Sequence, residues 1–330
     1  MKLRTTMIVL LSALALIAGA CGGSEPDSSD SSAVESTANI EREAEQEELE
    51  PEAPVETASG FPVTIESDGG SWTLESVPER IVSLSPTATE ILFAIGAGDQ
   101  VVAVDVFSYF PDEAPVTDLS GFDPNVEAVI GFDPDFVVLS NDANDLIASL
   151  TALNIPVLVS PAPSDIEGGY ATMAALGVAT GHVDETAAVI ATMRDEIAAA
   201  YALAPETSIR VYHELGDSLY SASSFGFVGS VYAEMGATNI ADEADADQAG
   251  FPQLTEEYII AADPELIVIT DQVGYTSDEL AARPGWSEIT AVKNGTIVTV
   301  NTDIASRWGP RLPQFIEAVT RAVAAISVGS

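Results

Sequence analysis

An internal repeat constrains this chain more than any other feature of its sequence. Residues Asn125 to Ser140 align without gaps on Thr255 to Thr270, at a constant offset of 255 − 125 = 130 positions. Each copy opens on a residue whose side chain can cap a helix, Asn125 or Thr255, and continues as a short apolar helix. It stops at Asp133-Pro134 or Asp263-Pro264, because the residue before a proline is pushed out of the helical region, and then enters a run of Val, Ile and Leu suited to a buried strand. Glu127 and Glu257 occupy matching places in the first turn of matching helices. Acids there are favoured by the helix dipole by about 0.3–1 kcal/mol with no function needed, so on the residues alone a structural and a functional reading stand level.

Short β-branched runs separated by helical patterns surround both copies. Ile81 to Leu84, Val101 to Val104, Phe136 to Leu139 and Pro156 to Val159 form one set, and Ile209 to Leu215, Leu266 to Thr270 and Thr296 to Val300 a second. Such alternation predicts parallel sheets flanked by helices. The expected fold is therefore α/β: two Rossmann-like lobes, over 61–167 and 205–330. An Ala-rich stretch over 168–204, interrupted only at Gly177 and Gly181 and ended by Pro205, predicts a single long α-helix between them.

The first sixty residues read as an address and a tether. Lys2 and Arg4 precede an apolar run from Met7 to Ala20, shorter than the roughly 20 residues that span a bilayer, and small residues lead into Cys21. This predicts a signal peptide over 1–20 and, by likeness to bacterial lipoproteins, lipidation of Cys21, although Ala18 stands where a larger aliphatic residue is usual. Positions 21–60 carry twelve acids and one base, with almost no large apolar side chain, and are expected to be a disordered acidic tether. The expected location is outside the cell, anchored to the outer face of the membrane.

Composition removes several functions. With 11 Lys+Arg against 52 Asp+Glu, the chain carries a formal charge of −41 and would repel nucleic acid. From Phe61 onward there are 40 acids and 8 bases, so the folded part is itself acidic, as suits a protein in a salty external medium. One cysteine forms no intrachain disulfide, and two histidines are too few for a structural zinc site or a three-histidine transport site. Gly96-Ala-Gly98 follows a helix and lacks the third glycine of a dinucleotide fingerprint, and no Gly-x-Ser-x-Gly or Gly-Lys-Ser/Thr motif occurs. No enzyme activity, cofactor or metal is expected; an exported scaffold without a small ligand is the remaining rival of another class.

The stretch from Pro78 through Ser83-Leu-Ser-Pro-Thr-Ala-Thr-Glu90 to Val104 resembles the start of the substrate-binding proteins that feed ABC importers for vitamin B12, ferric siderophores and haem. The likeness continues through Tyr109-Phe-Pro, both repeated units, Ala282-Arg-Pro-Gly-Trp286 and Arg307-Trp308-Gly-Pro-Arg311, and is nearest to the vitamin B12-binding members. It implies two lobes joined by a rigid helix with little hinge motion, a monomer, and a ligand in the cleft: a corrinoid, or alternatively a ferric siderophore or haem. It further implies that one glutamate per lobe, here Glu127 and Glu257, docks onto arginines of the importer's membrane subunits, which work with an ATPase.

A cleft of this kind lies where loops leave the strand ends. The candidates there are Phe107, Tyr109, Phe110 and Phe122 in the first lobe, and Tyr220, Phe225, Tyr275 and Trp308 in the second. Aromatic faces suit a large, flat, partly apolar ligand, although each ring could equally be core or rim. Arg307 and Arg311 could fork onto ligand oxygens or form structural salt bridges among so many acids.

Overall fold

A computed structural model describes residues 60–67, 70–204 and 208–329, the side chains of 327–329 excepted; the signal sequence, Cys21 and the acidic tether lie outside this range. The first lobe begins with an antiparallel hairpin, β1 (Val63–Ser67) and β2 (Gly70–Leu74), which the sequence reading did not anticipate. There follow β3 (Ile81–Leu84), α1 (Pro86–Ala94), β4 (Val101–Val104), α2 (Val126–Ile130), β5 (Phe136–Leu139), α3 (Leu146–Ala152) and β6 (Val157–Val159). The chain crosses through α4 (Ile166–Thr180) and α5 (Val183–Tyr201). The second lobe contains β7 (Arg210–Glu214), α6 (Phe227–Glu234), β8 (Thr238–Asn239), α7 (Glu256–Ala262), β9 (Leu266–Thr270), α8 (Ser277–Ala281), α9 (Thr290–Asn294), β10 (Ile297–Val300), α10 (Thr302–Ser306) and α11 (Leu312–Gly329).

The two parallel sheets have the same topology, with orders β4-β3-β5-β6 and β8-β7-β9-β10. Their central registers coincide under the 130-residue offset: Ile81 pairs with Phe136, and Val211 with Leu266. Strands β3 and β5 are buried at every position, as expected where helices cover both faces. The repeated units form as read. Asn125 accepts from the amide of Ala128 and Thr255 from that of Tyr258, and Asp133 and Asp263 turn out of the helices with φ of 51° and 49°.

The single helix expected over 168–204 is two helices. Gly181, at φ 78°, ends α4 in a left-handed turn that a side chain would strain, and His182 opens α5. Gly177, by contrast, stays inside α4, where a Cβ would come within 2.3 Å of the Thr186 hydroxyl; it lets α4 and α5 approach closely.

One hydrophobic cluster runs through both lobes on the side of these helices. It joins Ile81, Ile91 and Leu92 to Met173, Leu176, Met193 and Ile197, and those to Val211, Tyr232, Phe315 and Val319. Separate clusters fill the far face of each sheet. Each such side chain contributes about 1.5–3 kcal/mol on burial, so a wide hinge motion would re-expose a shared core. The two lobes are therefore held as one body.

Candidate functional site

Loops leaving the C-terminal ends of the strands in the two lobes meet near β4 and β10. After β4 the carboxylate of Asp105, buried, accepts the Phe107 amide at 2.8 Å and the Ser108 hydroxyl at 3.1 Å. Burial raises its pKa, and those hydrogen bonds oppose the rise. The turn displays Phe107, Tyr109 and Phe110 to solvent. Phe122, 75% exposed, stands edge-on to Phe107 with ring centroids 5.5 Å apart.

This loop is tied to the second lobe by an ionic cluster. Glu90 of α1, buried, receives Arg307 Nη1 at 2.6 Å and Arg311 through Nε at 2.8 Å and Nη2 at 2.6 Å. Arg307 also donates to the Phe107 carbonyl at 3.2 Å and pairs with Asp303 at 2.8 Å. Tyr109 donates its hydroxyl to Asp303 at 3.1 Å. The guanidiniums of Arg307 and Arg311 lie 5.4 and 3.9 Å from the ring centroids of Tyr109 and Phe110. The two arginines thus brace the aromatic loop from behind and are saturated by protein acids, which is the structural of their two sequence readings.

The second lobe contributes exposed Leu215, Tyr220, Phe225 and Phe251. Tyr220 bridges Gln253 across a short antiparallel contact, and the loop beneath Phe225 and Phe251 is fixed by Asp245. Its carboxylate accepts Ser223 Oγ at 2.5 Å and the amides of Ala249 and Gly250. Tyr275 is only half exposed, and its hydroxyl is committed to Glu214, a fully buried carboxylate that also takes Tyr212 and both outer nitrogens of Arg283. Arg283 in turn lies 4.7 Å from the ring centroids of both Tyr275 and Trp286.

Of the rings read from the sequence, Phe107, Tyr109, Phe122 and Tyr220 stand exposed at the strand ends. Trp308 does not: it is buried against Phe227 and packs over the backbone of Gly169, because the chain turns inward there to start α11. Leu215 and Phe251 were missed, since an isolated apolar residue in a loop leaves no periodic signal. Two surface depressions, of about 430 Å³ between α5 and α11 and about 540 Å³ beside Phe93 and Gly98, contain none of these rings.

Every base of the described body is engaged. Arg194, Arg210, Arg283, Lys293, Arg307, Arg311 and Arg321 pair with acids, and Arg80 donates to carbonyls. Glu127 and Glu257 are both exposed, and their side chains make no hydrogen bond or ion pair among the described residues. No cluster of three metal-ligating side chains occurs among those residues, and His213 is buried against Tyr232 and Phe315.

Two matched parallel-sheet lobes sharing a core, with aromatic loops at their strand ends, define a two-lobed solute-binding protein. The chain belongs to the periplasmic binding protein family, whose profile matches residues 81–303, and whose members bind solutes rather than transform them. It is 36% identical over 274 residues to a cobalamin-binding protein of Halobacterium salinarum, covering 79% of this chain and 73% of that one. It is 30% identical to an uncharacterized ABC transporter substrate-binding lipoprotein of Bacillus subtilis, covering 80% and 86%. Among solved structures it resembles the haem-binding protein RhuT of Roseiflexus (TM-score 0.67, 25% identity, 76% of this chain and 99% of that one). The vitamin B12-binding protein of Vibrio cholerae shares the fold (TM-score 0.62, 22% identity, 76% and 98%).

Proposed function

We propose that this chain is an extracytoplasmic receptor that captures a corrinoid and delivers it to an ABC importer, itself undergoing no chemistry. The observation that carries this reading is the pairing of exposed aromatic rings from both lobes with cations that, among the described residues, are all engaged by protein acids or carbonyls. A porphyrin with propionates or a ferric catecholate needs basic partners to offset its anionic groups. Cyanocobalamin, neutral overall, large and rimmed by amides, needs apolar contact and hydrogen bonds instead. Similarity to a relative named as cobalamin-binding supports the same choice.

Delivery is assigned to Glu127 and Glu257. Both are free, exposed and placed alike in the two lobes, which suits a two-fold partner offering the same basic pocket twice. Export by residues 1–20 and anchoring through Cys21 would hold a monomeric receptor near that partner.

Calorimetric titration of the full chain with cyanocobalamin in moderate salt tests the ligand. One-to-one binding below micromolar is expected; absence of binding, with haem or a ferric siderophore taken up instead, overturns the corrinoid assignment. For docking, Glu127→Lys with Glu257→Lys should abolish cellular uptake of cyanocobalamin and leave its affinity in solution unchanged. Undiminished uptake would remove the docking role.

A further inference from the structure

The 130-residue offset reaches beyond the units that first reveal it. Arg80, just ahead of β3, corresponds to Arg210, the first residue of β7; Phe132, Asp133 and Asp135 correspond to Ala262, Asp263 and Glu265. These pairs make corresponding contacts in space. Arg80 donates from Nε to the Asp133 carbonyl at 2.9 Å and from Nη2 to that of Phe132 at 2.6 Å. Arg210 donates from Nε to the carbonyls of Ala262 at 3.0 Å and Asp263 at 2.8 Å.

Each arginine is also fastened to its sheet. The Arg80 amide donates to the Asp135 carboxylate at 2.9 Å, and the Arg210 amide to that of Glu265 at 3.0 Å. In return the amides of Asp135 and Glu265 donate to the carbonyls of Arg80 and Arg210, at 3.1 and 2.8 Å. The last carbonyls of a helix have no partner within it and carry partial negative charge. A guanidinium anchored in the sheet therefore holds the chain where it leaves each glutamate-bearing helix, at the turn just past α2 in the first lobe and at the last carbonyl of α7 and its cap in the second, while Asn125 or Thr255 caps the other end. Helices as short as α2 and α7 have little stability of their own, so their direction is set by what holds their two ends.

We propose that Arg80 and Arg210 are matched positioning residues, one per lobe, which fix α2 and α7 against their sheets so that Glu127 and Glu257 face a two-fold basic partner at a set separation. This rests on the docking reading above. The loops around the cleft differ between the lobes, whereas the carbonyl clamp recurs in both, with ion pairs to Asp263 and Glu265 added in the second; a symmetric partner requires such a recurring frame and an asymmetric ligand does not.

The test uses the full chain carrying Arg80→Met and Arg210→Met, singly and together. Both side chains reach solvent, so the variants should fold, which a thermal melt verifies. Amide exchange should quicken at least tenfold over 126–132 in the first variant and over 256–262 in the second, with α5 unchanged. In cells carrying the double variant, uptake of radiolabelled cyanocobalamin should fall at least tenfold while affinity in solution stays within twofold. Unchanged exchange at both helices overturns the inference, as does undiminished uptake despite loosened helices, or an affinity loss that parallels the uptake loss. Failure of the docking reading is seen separately, as normal uptake by the Glu127→Lys and Glu257→Lys protein; the exchange measurement needs neither ligand nor importer.

Discussion

The two lobes share a frame and differ at its tips. Strand β3 reads Ile-Val-Ser-Leu and its counterpart β7 begins Arg-Val-Tyr-His-Glu, so Ser83 stands where the second lobe has His213, and Leu84 where it has Glu214. In the first lobe Ser83 and Thr89 form a small hydroxyl network. Glu90, a buried acid of that lobe, is satisfied by arginines from the other, while Asp105 is held by its own loop. In the second lobe the buried acid Glu214 is satisfied internally by Arg283, Tyr212 and Tyr275. The second lobe is thus electrostatically self-sufficient, and the first has its cleft loop placed by its neighbour. The duplicated frame is held by recurring contacts, and the loops at its tips are where the two lobes diverge.

The largest expected break in this comparison is Arg283→Met. It leaves a carboxylate with no solvent exposure and no cation, so urea unfolding should show a loss of about 3–5 kcal/mol. Next comes acid. Burial holds the His213 pKa down at about 4 against an ordinary 6.5. The unfolded chain therefore binds the proton first, and this contribution is complete above pH 6.5 and is lost as pH falls toward 4. A shift of that size corresponds to about 3 kcal/mol. His213→Gln should flatten the decline of stability between pH 6.5 and 4, with amide exchange in the second lobe reporting it and the first lobe following less.

Glu90→Gln should cost about 1.5–3 kcal/mol, the range of a hydrogen bond to a charged group, because Asp303 still pairs with Arg307. Its distinguishing sign is faster amide exchange over 105–110; a loss confined to overall stability would mean that the cluster does not place the loop. The smallest effect on folding belongs to Phe122→Ala. At 75% exposure it should change stability by less than about 0.5 kcal/mol. Cyanocobalamin affinity should nonetheless fall by up to about tenfold, as an aromatic contact worth 0.5–1.5 kcal/mol implies.

Much of the frame was legible because it rests on local rules. Helix caps at Asn125 and Thr255, Asp-Pro stops and β-branched runs act within a few residues, and strand positions followed from them to within a residue or two. The β1–β2 hairpin escaped although Val63-Thr-Ile65 and Trp72-Thr-Leu74 alternate apolar and polar residues, because each stretch is only five residues long; the two-residue β8 is too short to leave any pattern. The break at Gly181 was foreseen as an interruption, but that Gly177 would stay helical depends on Thr186, which only the packed pair of helices brings beside it.

The cleft was less legible for the same reason in reverse. A sequence shows that Arg307, Trp308 and Arg311 are close along the chain; it cannot show that Glu90, more than two hundred residues away, consumes both arginines, or that Trp308 faces Gly169 and Phe227. By itself the sequence determined the two-lobe α/β plan, the acidity and the paired glutamates, because capping, chain stiffness and charge are local or additive properties. How each cation is engaged, which rings reach solvent and which arginines hold the ends of α2 and α7 were decided by tertiary structure, because desolvation and hydrogen-bond partnership depend on neighbours that only folding brings together.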